Sequence, residues 1–205
     1  MEIYQRVSQG LDGAEPAVNR ILEGASHVVG RCKEAAGDAE QAEGCKGRQI
    51  QKLKEFATLN NLWIDFSCLP IIYIDKGGEN EVFYDGHSSV IKLNNFEYAG
   101  DDLTNFFIRI FAHNEVFSNV PYALIGFAEN SIHEFCAVLT QPDVQAEREA
   151  TVEEIIRYME SLGFVTDYPD EFHNDKYVIF DAVPNNVLYG KDGNLYFIDT
   201  QIRLR

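Results

Sequence analysis

Positive charge and long apolar runs are what this sequence lacks most. Lys and Arg together number 17 against 33 Asp and Glu, for a formal net charge of −16. A field of that sign repels nucleic-acid backbones and anionic lipid, so neither a nucleic-acid partner nor a membrane-surface role is expected. The longest apolar runs, such as Leu69 to Ile74, fall far short of a bilayer span. Met1 is not followed by a basic run and an apolar stretch, which leaves no secretory signal to read. Cysteine is scarce too. Cys32, Cys45, Cys68 and Cys136 form no CxxC pair, which argues for free thiols in a reducing compartment and against a disulfide framework. Together these features predict a cytoplasmic protein. No internal repeat is visible.

What is present is an ordinary globular composition: 205 residues, 45% hydrophobic and 24% charged. That suffices for a sizeable core and one or two domains. Residues 1–54 read as a helical extension of modest stability. Helix formers dominate there, but Gly24, Gly30, Gly37, Gly44 and Gly47 interrupt, and the apolar face is thin until Leu53, Phe56 and Ala57 fall at helical spacing. From Trp63 the pattern turns to strands: Leu69–Ile74, then Glu81–Tyr84 after a Gly-Gly break, then Ser89–Leu93 after Asp85-Gly86. Asp101-Asp102 open a helix with Leu103, Phe106, Phe107, Ile110 and Phe111 on one face. Two further strands, Tyr122–Ala128 and His133–Leu139, run to Gln141-Pro142. Beyond them, Thr151 and Glu154 form a capping box for a helix reaching about Leu162. Short apolar strands follow at Tyr177–Phe180, Val187–Tyr189 and Leu195–Ile198.

The last of these strands carry the chemistry. Phe180 is followed by Asp181, the chain loops through Pro184 to Asn186, and a hairpin delivers Asp199 thirteen residues after Asn186. Phosphoryl transfer needs one carboxylate beside an attacking hydroxyl, and an amide oxygen and a second carboxylate sharing a magnesium ion. A tight hairpin would bring both metal ligands to one edge.

The block D-x-x-P-x-N-V-L followed by D-G-x-L-Y-F-I-D resembles the catalytic loop and metal strand of aminoglycoside, choline and protein kinases. The resemblance implies that Asp181 is the catalytic aspartate, Asn186 the metal-binding asparagine, and Asp199 the aspartate of the DFG position. Val90-Ile91-Lys92 resembles the V-A-I-K strand, whose lysine holds ATP phosphates. Gly77-Gly78 takes the place of the phosphate-covering loop without the full GxGxxG spacing, an ordinary turn being the alternative. Leu139, Thr140 and Gln141 fall where kinases place the hinge that reads adenine through backbone groups. Glu115, near the end of the first helix, is the candidate acid to pair with Lys92, while His113, beside Asn114, is expected to be a hydrogen-bonded structural histidine. More narrowly, residues 55–202 resemble the serine/threonine/tyrosine-kinase-like domain of bacterial polyvalent proteins of phages and conjugative elements, through G-G-E-N-E-V-F-Y, V-I-K-L and H-N-E-V-F-S-N-V-P-Y-A-L-I-G-F.

The resemblance implies an α+β, two-lobed kinase-like fold. N-terminal helices (1–54) would precede a five-stranded antiparallel N-lobe (55–141) and a truncated helical C-lobe (142–205). Lys92, Asp181, Asn186 and Asp199 would converge on ATP and Mg2+, with an acceptor that is either protein or small molecule. The acidic surface does not exclude ATP, because magnesium and one lysine reverse the field locally. The chain departs from the kinase pattern at Ile179, where a histidine is usual, and at Thr200-Gln201, where Phe-Gly is usual. Six residues follow Asp199, so the usual peptide-docking surface is expected to come from elsewhere or to go unused. The lead reading is a phosphotransferase and the alternative a nucleotide-binding pseudokinase, while the intact Lys92, Asp181, Asn186 and Asp199 argue against a purely structural adaptor.

Overall fold

The computed structural model describes residues 15–34, 45–66 and 69–205. They form four α-helices and twelve strands, a mixture of helix and antiparallel sheet. The chain divides into two compact units, one containing the residues up to Phe107 with Tyr122–Pro142, the other Ile108–Pro121 with Asp143–Arg205.

In the first unit, helices α1 (Glu15–Glu34) and α2 (Cys45–Leu59) pack on each other and α1 also meets strand β4 (Ala123–Glu129). The glycines expected to interrupt α1 do not. Helix α1 runs through Gly24, and a Cβ there would come within 3.0 Å of the Phe56 ring. Gly24 is thus a close-packing position between helices. Gly37, Gly44 and Cys68 lie outside the described residues, whereas Cys32, Cys45 and Cys136 are free thiols. Burial pushes the Cys136 thiol up to about 12, so it is unreactive at neutral pH.

The boundary expected at residue 54 falls inside α2, and that helix is tied into the first unit. Gln49, fully buried, donates to Asp102 Oδ1 at 2.8 Å and accepts from the Leu103 backbone N–H at 2.8 Å. Asp102 Oδ1 also accepts from the Thr104 N–H, the first residue of helix α3 (Thr104–Val116). An orphan donor at the helix start is thereby satisfied by Asp102, whose carboxylate Gln49 of the distant helix α2 also engages.

A five-stranded, wholly antiparallel sheet follows, in the order β1 (Ile72–Lys76), β2 (Asn80–Tyr84), β3 (Ser89–Asn94), β5 (Phe135–Pro142), β4. Alternation sorts its faces. Ile91, Leu93, Ile125, Cys136 and Val138 build one core with Ile64. Lys92 and Asn94 occupy the opposite face of β3, a consequence of the same period. The first strand starts three residues later than expected, at Ile72, and all five of its residues are exposed.

The second unit corrects the sequence reading most. A helical lobe was expected after residue 142, yet the only α-helix wholly within this unit among the described residues is α4 (Val152–Ser161). Its start carries the expected capping box between Thr151 and Glu154. The rest is sheet: β6 (Ala146–Glu149) joins β10 (Val187–Gly190) and β11 (Leu195–Phe197), while β7 (Val165–Tyr168), β8 (Glu171–His173), β9 (Tyr177–Phe180) and β12 (Gln201–Leu204) form a second sheet in the order β12-β9-β8-β7. The segments between turns are three or four residues long, too short to bury a helical stripe. Their alternation instead sends Phe172, Ile179, Val187 and Ile202 into one core with Ile155 and Met159 of α4. At its centre the Phe117 and Phe197 rings stack with centroids 4.2 Å apart.

Candidate functional site

Asp181 begins where β9 ends, and its φ of 61° turns the chain sharply out of the strand. The left-handed region is costly for most side chains, and aspartate is among the few that tolerate it. The turn leads into a 3-10 helix, Pro184–Asn186, opened by proline where no N–H is needed. Asn186 closes the loop on itself: its Nδ2 donates to the Asp181 carbonyl at 2.9 Å, and its backbone N–H to Val183 O at 2.8 Å.

Asp199 arrives by a hairpin. Strands β10 and β11 pair Val187 with Phe197, and just outside the ladder Ile198 N–H donates to Asn186 O at 2.9 Å. Asp192 knits the turn, accepting from the Tyr196 hydroxyl at 2.6 Å and from Asn194 Nδ2 at 2.7 Å. After Asp199 the chain enters β12, which pairs with β9 so that Gln201 opposes Phe180. In an antiparallel ladder that register sets Thr200 beside Asp181. The hairpin and the β9–β12 ladder together therefore gather Asp181, Asn186 and Asp199 at one edge of the second unit.

Charge agrees with this placement. Loss of water around the Asp181 carboxyl raises it above the ordinary aspartate range, and the Asp199 charge adds to the rise. A hydrogen bond from Asn186 works the other way, and Asp170 contributes a further, smaller push upward. Mutually repelling carboxylates beside a side-chain amide suit a hard divalent cation that keeps waters and takes phosphate oxygens. Among the described residues no three His, Cys, Asp or Glu gather to hold a metal unaided. Two carboxylates and an amide fit magnesium bound jointly with a phosphorylated ligand.

Lys92 lies in the first unit, 5% exposed at the middle of β3. Its Nζ donates to the Tyr122 hydroxyl at 3.1 Å and lies 5.1 Å from that ring's centre. A buried ammonium needs such partners. The expected acid, Glu115, engages a different cation. Both its oxygens accept from Lys176, at 2.6 and 2.7 Å, and one also accepts from the Tyr177 hydroxyl. Lys176, then Tyr177, hold the Glu115 carboxyl below the usual glutamate range. Position explains the correction: Glu115 sits in the last turn of α3, within the second unit, and so does the start of β9. His113 is structural, as expected; its Nε2 donates to Val120 O at 3.0 Å within a fully buried setting.

Gly77 and Gly78 form the turn between β1 and β2, with Gly77 N–H donating to Asn80 O at 2.8 Å. A Cβ on Gly78 would overlap the Tyr98 hydroxyl, so a close side chain already explains that glycine. Leu139, Thr140 and Gln141 are buried inside β5, which continues through Pro142 instead of ending at Leu139. Ser89 and Val90 extend the β3 ladder to Pro142 and Gln141, and proline then ends it. Leu139 and Thr140 have ladder partners on both sides, whereas β4 pairing stops at Thr140, leaving Gln141 flanked by β3 alone.

Sequence reasoning missed Tyr122, Asp170 and Arg109. Arg109, on α3, donates from Nη1 to Gln201 Oε1 at 2.6 Å. Tyr122 lay within a quoted motif, but nothing in its spacing marks it as a lysine partner. No signal in the sequence pointed to the other two.

Neither the curated proteins nor the solved structures contain a match to this chain. The model of one family does match, described as a serine/threonine/tyrosine kinase found in polyvalent proteins. It covers residues 46–205, from the start of α2 through β12. With that span including both the Lys92 strand and the Asp181–Asp199 block, the chain belongs to this kinase family.

Proposed function

We propose that this protein is an ATP- and magnesium-dependent phosphotransferase acting on a hydroxyl acceptor, and that it derives from a mobile genetic element. Membership in a kinase family found in polyvalent proteins supports both halves of the statement. The observation that carries the chemistry is the register of β12 on β9, which sets Asp199 and Asp181 at one edge with Asn186.

In this reading Lys92 holds the α- and β-phosphates of ATP. Asn186 and Asp199 hold magnesium, which supplies neutralisation of phosphate charge when bound. Asp181 accepts the proton of the attacking hydroxyl, and a carboxyl raised above its ordinary range is a better base for that task. Gly77, in the β1–β2 turn, lies over the phosphates, and backbone groups from Gln141 onward read the adenine edge. Radiolabelled ATP offered with a panel of hydroxyl acceptors, the protein itself included, tests the proposal. Transfer by wild type that vanishes in Asp181→Asn and Asp199→Ala is expected. Equal labelling by all three proteins would refute it.

A second reading, nucleotide binding without turnover, is favoured by one observation. Asp199 is followed by Thr200-Gln201 and enters a paired strand within two residues, in place of the Phe-Gly switch. ATP-dependent stabilisation without label transfer to any acceptor would select it.

A further inference from the structure

We propose that Arg109 is a positioning residue for Asp199, acting through Gln201. The inference rests on the reading of Asp199 as a metal ligand.

Strand β12 is the edge of its sheet, paired on one side with β9 and on the other with no strand among those described. An edge strand held by one ladder has less to fix its lateral position than a central one. Its first residue, Gln201, lies two positions after Asp199 and opposite Phe180, the residue before Asp181. Any slip of Gln201 therefore changes the spacing of both carboxylates at once. The side chain that grips it comes from α3, 92 positions away in the chain, at 2.6 Å. That is short for a guanidinium on a neutral amide oxygen, as a charge-assisted bond should be.

Arg109 is only 8% exposed. Arginine is rarely buried without a partner that repays its desolvation. If the site on α3 served packing alone, methionine or leucine would fill it without that cost. A rigid, planar guanidinium that donates to Gln201 Oε1 is suited instead to setting a position. The neighbouring Thr200 does not do so: its buried hydroxyl has no hydrogen-bond partner among the described residues.

The test reads metal affinity, which loss of packing alone would not move. Thermal stabilisation by ATP is titrated with Mg2+ in wild type, Arg109→Met, Gln201→Leu, the double variant and Gln201→Glu. Removing either partner is expected to raise the half-saturating Mg2+ about tenfold or more, in line with other outer-shell partners of metal ligands. The double variant should be no worse than either single one, and Gln201→Glu should keep the wild-type value by accepting from Arg109 as a carboxylate. Should Arg109→Met fail to fold, Gln201→Leu and Gln201→Glu still read the link. A wild-type midpoint in Gln201→Leu, with only the ligand-free melting temperature lowered, overturns the inference. Wild type that shows no magnesium-dependent response to ATP overturns the metal-site reading first, and the positioning role with it.

Discussion

Phe180 and Gln201 face each other across the β9–β12 ladder, and that one pairing sets the spacing of the two site aspartates. Asp181 follows the first of the pair and Asp199 precedes the second by two residues. The proximity of the carboxylates is thus a property of strand register, which the Ile179 and Ile202 side chains hold by sharing one core. A one-residue slip of β12 on β9 would turn its side chains to the other face and carry Asp199 out of register with Asp181.

The Asp181 carboxyl should behave as a weakened acid. Its folded-state pKa lies above the unfolded value of 3.8, so ionising it costs the fold stability as pH rises through that window. Asp181→Asn removes the cost and is expected to leave stability at neutral pH equal to or above wild type, while abolishing transfer. Asp199→Asn, by deleting the second cause of the rise, should bring the Asp181 titration down. Carbon-13 titration of the aspartate carboxyls reads both effects.

Tyr122 should matter to nucleotide binding out of proportion to its distance along the chain from the Asp181–Asp199 block. Tyr122→Phe keeps the ring beside Lys92 but removes the hydroxyl that its ammonium reaches. A buried donor stripped of a partner costs about 1–3 kcal/mol. The expected result is a loss of that order in urea denaturation together with weaker ATP binding. Tyr122→Leu, which also removes the ring, should be worse on both counts.

Acid stability should depend on Glu154. Arg148, first, and the Thr151 N–H hold its carboxyl down at about 2, against an ordinary 4.5. Because the folded pKa is depressed, the contribution is complete above 4.5 and is lost as pH falls from there towards 2. Glu154→Gln is therefore expected to flatten the pH dependence of the melting temperature across that window. Thr151→Ala should in addition cost about 0.5–2 kcal/mol at neutral pH, the usual worth of an N-cap.

Local chemistry made much of this fold legible. The capping box at Thr151, the Asp85-Gly86 turn and the alternation in β3 each carry their structure in adjacent residues. So does the Asp181–Asn186 loop, with its proline and its fixed spacing. What escaped is decided by partners far along the chain. After residue 142 the helix and three of the strands were legible, whereas β6, β7, β8 and β12 escaped because each is only three or four residues long and lacks a run of alternation to count. Glu115 looked available to Lys92 because nothing near it announces Lys176, which lies 61 positions away. Gly24 looked like a helix breaker because Phe56, which needs the space, belongs to another helix. Arg109 and Gln201 are unremarkable until β12 is laid beside β9.

The most direct test is a thermal-shift titration with ATP, with and without Mg2+, on wild type, Lys92→Met and Asp199→Ala. Binding to the folded state raises the melting temperature by mass action, about 2.7 kcal/mol of stabilisation at a hundredfold excess over Kd. Wild type should respond most strongly with Mg2+ present. Lys92→Met should lose most of the response in either condition, and Asp199→Ala should lose only its magnesium-dependent part. A folded wild-type protein unmoved by millimolar ATP and Mg2+ would contradict the proposal, as would variants that respond as wild type does.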